Sequence, residues 1–589
     1  MRTKLIISLP PKTKIMQKRW QVKTPIDSTI VEDFRSKLKV DPIVAELLLQ
    51  RQIDSFEEAQ KFFRPDLSSL HDPFLMKNME NAVERLQQAI SEQQRVMLFG
   101  DYDVDGTTAV ALMFSFLKDT LPVDFYIPDR YKEGYGLSTA GIDTAAKNKV
   151  DLIISLDCGI KSVDKVAYAQ SLGIDFIICD HHTPGDTLPD AYVLDPKQKG
   201  CDYPYKELSG CGVGFKLLQG LCEHNNWSQE KLFDSLDLLA VSIGADIVHV
   251  TGENRVLAMH GMKKLNENPR FAFKTLLSLA KKEFPVTLTD VIFSIAPRIN
   301  AAGRLRSGRY AVELMISNDE EEILMLANEI NEDNLERREL DKDITKEALE
   351  KAEELATDGK SFSTVVYKEN WHKGVIGIVA SRLIEKYYKP TLVLTLSNGL
   401  ITGSARSIKG FDVYEGLSEC SEFLEQFGGH TFAAGLTMKP ESLEPFKKKF
   451  EEVAARVLTP ELMVEEQIID IELSFDQIFQ KEENRMQVPK LKRIIKQFEP
   501  HGPENMKPVF ISKNVFSTDV RILKDAHLKL SMTQPENDVV IEGIGFNLAG
   551  KKDIVASGLP FDVVYTLEIN KWRERETVQL NIKDIRATV

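Results

Sequence analysis

The sequence predicts an α/β chain built on a parallel sheet, and three observations carry that prediction. Short apolar runs, Val96–Phe99, Val123–Ile127, Leu152–Leu156, Phe176–Cys179 and Tyr192–Leu194, alternate with helical patterns. Strands buried on both faces read as continuous apolar stretches, and strand–helix alternation implies βαβ units. Three of the runs end in acids: Asp101, Asp103 and Asp105 follow the first, Asp157 the third, and Asp180 with His181 and His182 the fourth. The carboxyl ends of the strands are where an open α/β sheet binds ligands. Finally, 589 residues are enough for three or four separate cores.

Composition narrows the class. The 43% hydrophobic and 28% charged residues are ordinary for a soluble globular protein. No apolar run approaches the ~20 residues of a membrane span. The patch Leu5–Leu9 is too short for a signal-peptide core and runs into Pro10-Pro11 and Lys12. Six cysteines without a C-x-x-C pair point to a reduced, cytoplasmic chain. The net charge of −14 argues against nonspecific nucleic-acid binding by the chain as a whole. Basic residues nevertheless cluster at Arg298, Arg304, Arg306 and Arg309, and again at Lys490, Lys492, Arg493 and Lys496, so local anion sites are available.

Taken in order, residues 1–70 read as a helical preamble, with helices over Pro42–Leu49 and Ser55–Phe63. The strand Val96–Phe99 then enters Gly100-Asp-Tyr-Asp-Val-Asp-Gly106, a tight turn before an apolar helix over Thr107–Leu117. Alternation along an extended backbone aims Asp101, Asp103 and Asp105 the same way. Three carboxylates this close repel one another unless a cation intervenes. A helix-flanked calcium loop needs Glu at its twelfth position, where this chain has Leu112. Leu238–Ala245 is another apolar run ending in an acid, Asp246. One sheet edge collecting these acids and an imidazole suits two divalent cations sharing one carboxylate. A mixed oxygen and imidazole set favours Mn²⁺ or Mg²⁺.

These residues carry a resemblance. Asp101-Tyr-Asp-Val-Asp-Gly106, Leu156-Asp-Cys-Gly159 and Asp180-His-His182 resemble successive motifs of the DHH phosphoesterase superfamily. Pro128-Asp-Arg-Tyr-Lys-Glu-Gly-Tyr-Gly136, Leu208-Ser-Gly-Cys-Gly-Val-Gly-Phe-Lys216, Ala296-Pro-Arg-Ile-Asn-Ala-Ala-Gly-Arg304, Gly403-Ser-Ala-Arg-Ser407 and Gly428-Gly-His-Thr-Phe-Ala-Ala-Gly435 follow in the order and spacing of its RecJ branch. That branch comprises bacterial exonucleases specific for single-stranded DNA. The resemblance implies a 71–317 DHH catalytic domain, a 318–358 connector helix, a 359–458 DHH-associated substrate domain and a 459–589 oligonucleotide-binding β-barrel. Relatives usually have Gly-Asn-Pro where this chain reads Gly502-Pro-Glu-Asn-Met506, and some carry a further C-terminal domain that is not expected here.

By motif position the resemblance implies that Asp103, Asp105, Asp157, His181 and Asp246 are metal ligands, with Asp157 bridging two ions. Asp101 and Asp180 stand behind them as orienting groups, and His182 donates to a phosphate oxygen. Arg130, Arg298, Arg304, Ser404, Arg406 and His430 are the expected substrate contacts, the arginines because a planar guanidinium matches phosphate. Tyr135 is expected to stack on a terminal base. The implied activity is 5′-to-3′ hydrolysis of single-stranded DNA by a monomer in DNA repair and recombination, beside a single-strand-binding protein and a repair helicase. Three alternatives stay open: a phosphodiesterase for cyclic dinucleotides or very short RNA, a pyrophosphatase, and a non-catalytic DNA-binding scaffold. Phe510, Phe546 and Trp572 of the barrel read equally as a stacking surface and as core.

Overall fold

In the computed structural model the described residues are 18–355, 361–479, 488–535, 538–572 and 575–588. They form two compact units. The larger comprises Ile26–Arg338 with Ile494–Lys507; the smaller comprises the described residues within Met1–Pro25, Glu339–Arg493 and Pro508–Val589.

A short strand, β1 (Arg19–Val22), precedes the larger unit. The larger unit holds five parallel strands: β2 (Val96–Gly100), β3 (Val123–Tyr126), β4 (Leu152–Leu156), β5 (Asp175–Cys179) and β6 (Tyr192–Leu194). Their order is β3-β2-β4-β5-β6. Alternation sends Val96 and Leu98 into one apolar cluster and Met97 and Phe99 into another, so both faces are covered. The first face carries helices α1 (Val104–Leu117), α2 (Gly210–Asn225), α3 (Leu236–Ala245) and α4 (Gly252–Glu267). Register decides the site: Gly100 pairs with Leu156, Leu156 with Cys179, and Cys179 with Leu194. The next residues, Asp101, Asp157, Asp180 and Asp195, therefore emerge side by side at one sheet edge.

The expected connector is a single helix, α5 (Glu320–Leu355), of 36 residues. That is about 54 Å at 1.5 Å per residue. Ile323, Leu326, Ala327 and Ile330 join the core of the larger unit, whereas Ile344, Ala348 and Ala352 join an apolar cluster of the smaller one. Residues 356–358, which the sequence reading added to this helix, lie outside the described residues.

The smaller unit begins with β7 (Thr364–Tyr367), α6 (Ile376–Tyr387), β8 (Thr391–Ser397), β9 (Leu400–Arg406), β10 (Gln426–His430), β11 (Ala433–Met438) and α7 (Leu443–Val457). The sheet order is β10-β11-β9-β8-β7, with only β7 and β8 parallel. Helix α6 packs on one face through Val393, and α7 on the other through Leu392, Leu394 and Ala405.

Beyond it, β12 (Glu466–Ile469) pairs with β1. Strands β13 (Ile471–Glu472), β14 (Phe510–Leu523), β15 (His527–Thr533), β16 (Ile541–Gly545), β17 (Phe561–Trp572) and β18 (Arg575–Ala587) form a six-stranded sheet. Strand β14 pairs with β15 through one half and with β17 through the other, which curls the sheet towards a barrel. The apolar run Ile468–Phe475 is not one strand. Asp470 interrupts it, accepting hydrogen bonds from Lys23 and from the Val509 amide, and Ser474 opens a helical turn with a capping box. The basic cluster lies on α8 (Lys490–Lys496), but Lys492 is buried there, so it is not one solvated stripe.

Gly502-Pro-Glu-Asn-Met506 lies in the larger unit. The buried Asn505 donates through Nδ2 to the carbonyls of Phe498 and Pro500, at 2.8 and 2.9 Å. The buried Arg255 donates to the carbonyls of Phe498, Pro500 and Phe62. Asparagine thus closes this turn although the Gly-Asn-Pro order is absent.

Candidate metal centre

The first three acids converge by a route that strand alternation does not describe. Strand β2 stops at Gly100, and the chain turns at once into α1, with Asp103 as its N-cap accepting from the Gly106 amide at 3.1 Å. Asp105 sits in the first turn of the helix. Its carboxylate accepts from the Gly210 amide at 2.6 Å, the Cys211 amide at 2.9 Å and the Ser242 hydroxyl at 2.7 Å. The N-terminus of α2 therefore holds it, as a helix N-terminus holds an anion.

Asp157 follows β4 with φ at +60°, a left-handed conformation that is costly without glycine. Gly210 makes room for it: a Cβ there would lie 2.6 Å from that of Asp157. Asp246 caps the C-terminus of α3, so the apolar run Leu238–Ala245 is part of a helix. His181 joins the acids, its Nε2 lying 3.2 Å from Asp157 Oδ1, 3.5 Å from Asp246 Oδ2 and 3.9 Å from Asp105 Oδ2.

Burial, then mutual repulsion, raises the carboxyls of Asp101, Asp157 and Asp246 well above the carboxylate range, and raises Asp103 as well. Burial also lowers His181. Asp101 Oδ1, Asp157 Oδ1 and both ring nitrogens of His181 are buried without a hydrogen-bond partner among the described residues. Three groupings bring ligand atoms within 4.8 Å of one another: Asp157 with His181 and His182, Asp105 with His181 and Asp246, and Asp101 with Asp103 and Asp157. Crowded buried carboxyl oxygens and an imidazole without partners are what a divalent cation satisfies, so the residues fit the expected Mn²⁺ or Mg²⁺. Asp101 belongs among the ligand-capable groups by this geometry.

Asp180 is different, because all its capacity is used. It accepts from the His181 amide at 2.8 Å, the His182 amide at 3.2 Å, His182 Nδ1 at 2.8 Å and the Ile160 amide at 2.9 Å. Burial opposes its charge, yet these bonds and the neighbouring imidazoles hold it well below the usual range. His182 gains in return. Burial disfavours its charge, but Asp180 pushes its pKa up.

The loop 128–138 brings Arg130 and Tyr135. Glu133 ties it down, accepting from the Tyr126 hydroxyl, the Asp129 amide and the Ser138 hydroxyl. The Tyr135 ring is 55% exposed while its hydroxyl lies 3.2 Å from the Asp157 carbonyl and 3.2 Å from His182 Nε2. The Arg130 guanidinium lies over the Tyr102 ring at 4.8 Å, and Tyr131 donates to the Arg304 carbonyl. Arg298 is buried instead, bonding Asn331 of α5 at 3.0 Å and the Ser294 carbonyl at 2.7 Å, so it packs the long helix.

In the smaller unit, Ser404 and Arg406 project from one face of β9, with Arg406 Nη1 donating to Ser404 Oγ at 3.0 Å. Gly377 in the first turn of α6 approaches them, and a Cβ there would lie 2.9 Å from both Arg406 Nη2 and Ser404 Oγ. His430 is exposed at the end of β10. In the barrel, Phe510 is core at 0% exposure and Phe546 is open at 54%. The Trp572 side chain lies outside the described residues.

Sequence reasoning gave no role to Ser242, to the Gly210 and Cys211 amides or to Tyr102. The Gly-rich spacing of Leu208–Lys216 was the available signal for a close approach.

Residues 95–243 match the DHH family N-terminal domain, 359–456 the DHHA1 domain and 469–584 the RecJ OB domain. The single-stranded-DNA-specific exonuclease RecJ of Bacillus subtilis (strain 168) is 37% identical over 571 residues, covering 96% of this chain and 70% of that protein. The protein of the same name from Escherichia coli (strain K12) is 31% identical, covering 93% and 96%. The chain belongs to the RecJ family. A solved RecJ in complex with Mn²⁺, from Thermus thermophilus, superposes with TM-score 0.83 at 25% identity, over 97% of this chain and 80% of that one. Exonuclease RecJ bound to manganese gives TM-score 0.59 at 31% identity, over 67% and 97%. The α/β DHH domain, the long helix, the DHHA1 domain and the OB-like sheet are thus those of the RecJ family.

Proposed function

We propose that the chain is a metal-dependent exonuclease that hydrolyses single-stranded DNA from its 5′ end. The observation that carries this reading is the cluster of Asp101, Asp103, Asp105, Asp157, His181 and Asp246, in which buried Asp101 Oδ1, Asp157 Oδ1 and the His181 ring nitrogens have no hydrogen-bond partner among the described residues. Asp103, Asp105, Asp157, His181 and Asp246 would hold two Mn²⁺ or Mg²⁺ ions. When bound, such ions acidify a water and stabilise charge on the phosphoryl and leaving oxygens.

The remaining roles belong to side chains. Asp180 fixes the His182 ring through Nδ1 and raises its pKa, which equips Nε2 to donate a proton-bearing contact to a phosphate oxygen. The Asp105 carboxylate is kept in one orientation by its three donors. Ser404, Arg406 and the first turn of α6 suit a 5′-terminal phosphate, since guanidinium and helix amides both favour that anion. Within the larger unit, Arg130 and Arg304 offer positive charge of their own, and the open Tyr135 ring suits a terminal base. The OB-like domain supports a polymeric substrate over a cyclic dinucleotide.

The proposed setting is the cytoplasm, beside a single-strand-binding protein and a repair helicase. No helix among the described residues is long and apolar enough to cross a membrane. Digestion of end-labelled single- and double-stranded DNA and RNA with Mn²⁺ or Mg²⁺ tests the reading. Single-stranded DNA is expected to be degraded fastest, and equal degradation of all three would refute the specificity.

A further inference from the structure

The sheet of the smaller unit carries an open strip whose glycines have no internal explanation. In antiparallel pairs, directly opposed residues share a face. Ser404 opposes Val393 on one side and Gly435 on the other, and Gly435 in turn opposes Gly428. Arg406 likewise opposes Ala433, and Ala433 opposes His430. The face bearing the Ser404 and Arg406 cradle therefore continues across β11 and β10 as Gly435, Ala433, Gly428 and His430. Helix α6 covers this face at Val393.

A Cβ added at Gly428 would meet nothing within 4 Å, and one at Gly435 would meet only the Gly403 carbonyl at 4.0 Å. Neither glycine has positive φ. Internal packing and backbone conformation would both accept a side chain, so the bare strip points to close approach from outside.

At its end stands Phe432, in the two-residue loop joining β10 to β11, with 57% of its surface exposed. The loop backbone is fixed on both sides. The Ser407 amide donates to the Phe432 carbonyl at 2.9 Å, the Val413 amide to the Thr431 carbonyl at 3.0 Å, and Thr431 Oγ1 to Asp412 Oδ2 at 2.7 Å. An open aromatic ring is thus mounted on a pinned backbone, one residue from the position opposing Arg406. Exposing such a ring forfeits hydrophobic stabilisation.

We propose that Phe432 is a stacking platform for a base of the bound single strand, one nucleotide or more beyond the phosphate held by Arg406 and Ser404. A phenyl ring offers no hydrogen-bonding edge, so the platform accepts any base and adds affinity without sequence preference. The inference rests on the proposed exonuclease function.

The test uses the full chain with Phe432→Ala and Phe432→Trp, on 5′-phosphorylated single strands that are intact or carry one abasic site at successive positions from the 5′ end. Phe432→Ala is expected to raise KM roughly tenfold, with a smaller change in kcat, and Phe432→Trp to restore it. One abasic position should weaken the wild type by a similar factor and leave Phe432→Ala no weaker still. Anisotropy with a labelled single strand reads the same contrast without turnover. Unchanged KM and affinity in Phe432→Ala would overturn the proposal, as would equal further loss at every abasic position. A wild type that neither binds nor degrades single strands would refute the exonuclease reading, and the platform with it.

Discussion

Asp157 joins backbone, charge and packing at one residue, and its substitutions separate them. Asp157→Ala removes the proposed shared ligand, so turnover is expected to fall by roughly 10²–10³ or more while affinity for single strands changes little. Near-normal turnover at saturating Mn²⁺ would exclude the shared role. Gly210→Ala attacks the same carboxylate from the other side, because the new methyl group would lie 2.6 Å from the Asp157 Cβ. Overpacking of this kind costs about 1–3 kcal/mol, so both melting temperature and rate should drop. Asp195 gives a prediction free of the metal. It is fully buried at the same sheet edge, and Lys197 donates its amide to Oδ1 at 2.6 Å. Burial raises its pKa to about 7, above the unfolded value. A raised carboxyl favours the protonated fold, so its penalty is small near pH 4, grows as pH rises towards about 7 and is constant above that. Asp195→Asn should stabilise the chain at pH 8 by at most ~4 kcal/mol, given about 1.4 kcal/mol per unit, and have little effect near pH 4. Equal melting temperatures of variant and wild type at pH 8 would contradict it.

Among elements, the C-terminal segments separate stability from binding. Ile494–Lys507 belongs to the larger unit, where Arg255 and Asn505 bond its carbonyls, while the sheet of β14–β18 belongs to the smaller one. A chain ending at Lys507 should keep its metal site, bind single strands more weakly and lose part of the salt dependence of binding. A chain ending at Leu458 should in addition melt at lower temperature, since the Arg255 guanidinium then loses carbonyl partners. Identical melting of the two truncated chains would contradict this division. The elements also show which sequence signals suffice. Strands β4 and β6 were legible to the residue because short, mostly apolar runs that alternate with helical patterns read as buried parallel strands. The run Ile468–Phe475 was not, because Asp470 takes partners, Lys23 and Val509, from distant parts of the chain.

For the whole molecule, the site was legible where local pattern delivers it: an acid after each of three aligned strands, and His181 beside one of them. What supports those acids was not. Asp105 depends on Ser242 and on the first amides of α2, over a hundred positions away, and only the fold brings them together. Arg298 reads in sequence as one more cation of a basic cluster, whereas packing against Asn331 spends it on structure. Arg406 tests polarity. If it holds a terminal phosphate, Arg406→Ala should slow cleavage of 5′-phosphorylated strands roughly ten- to hundredfold relative to 5′-hydroxyl strands, as expected for loss of ~1.5–3 kcal/mol. The most direct measurement of the central claim follows product release from one single strand labelled at either end, with Mn²⁺, with Mg²⁺ and with chelator. The account predicts immediate release of 5′ label as mononucleotide, delayed release of 3′ label, and no release in chelator. Activity that survives the chelator, or release that begins at the 3′ end, would contradict it.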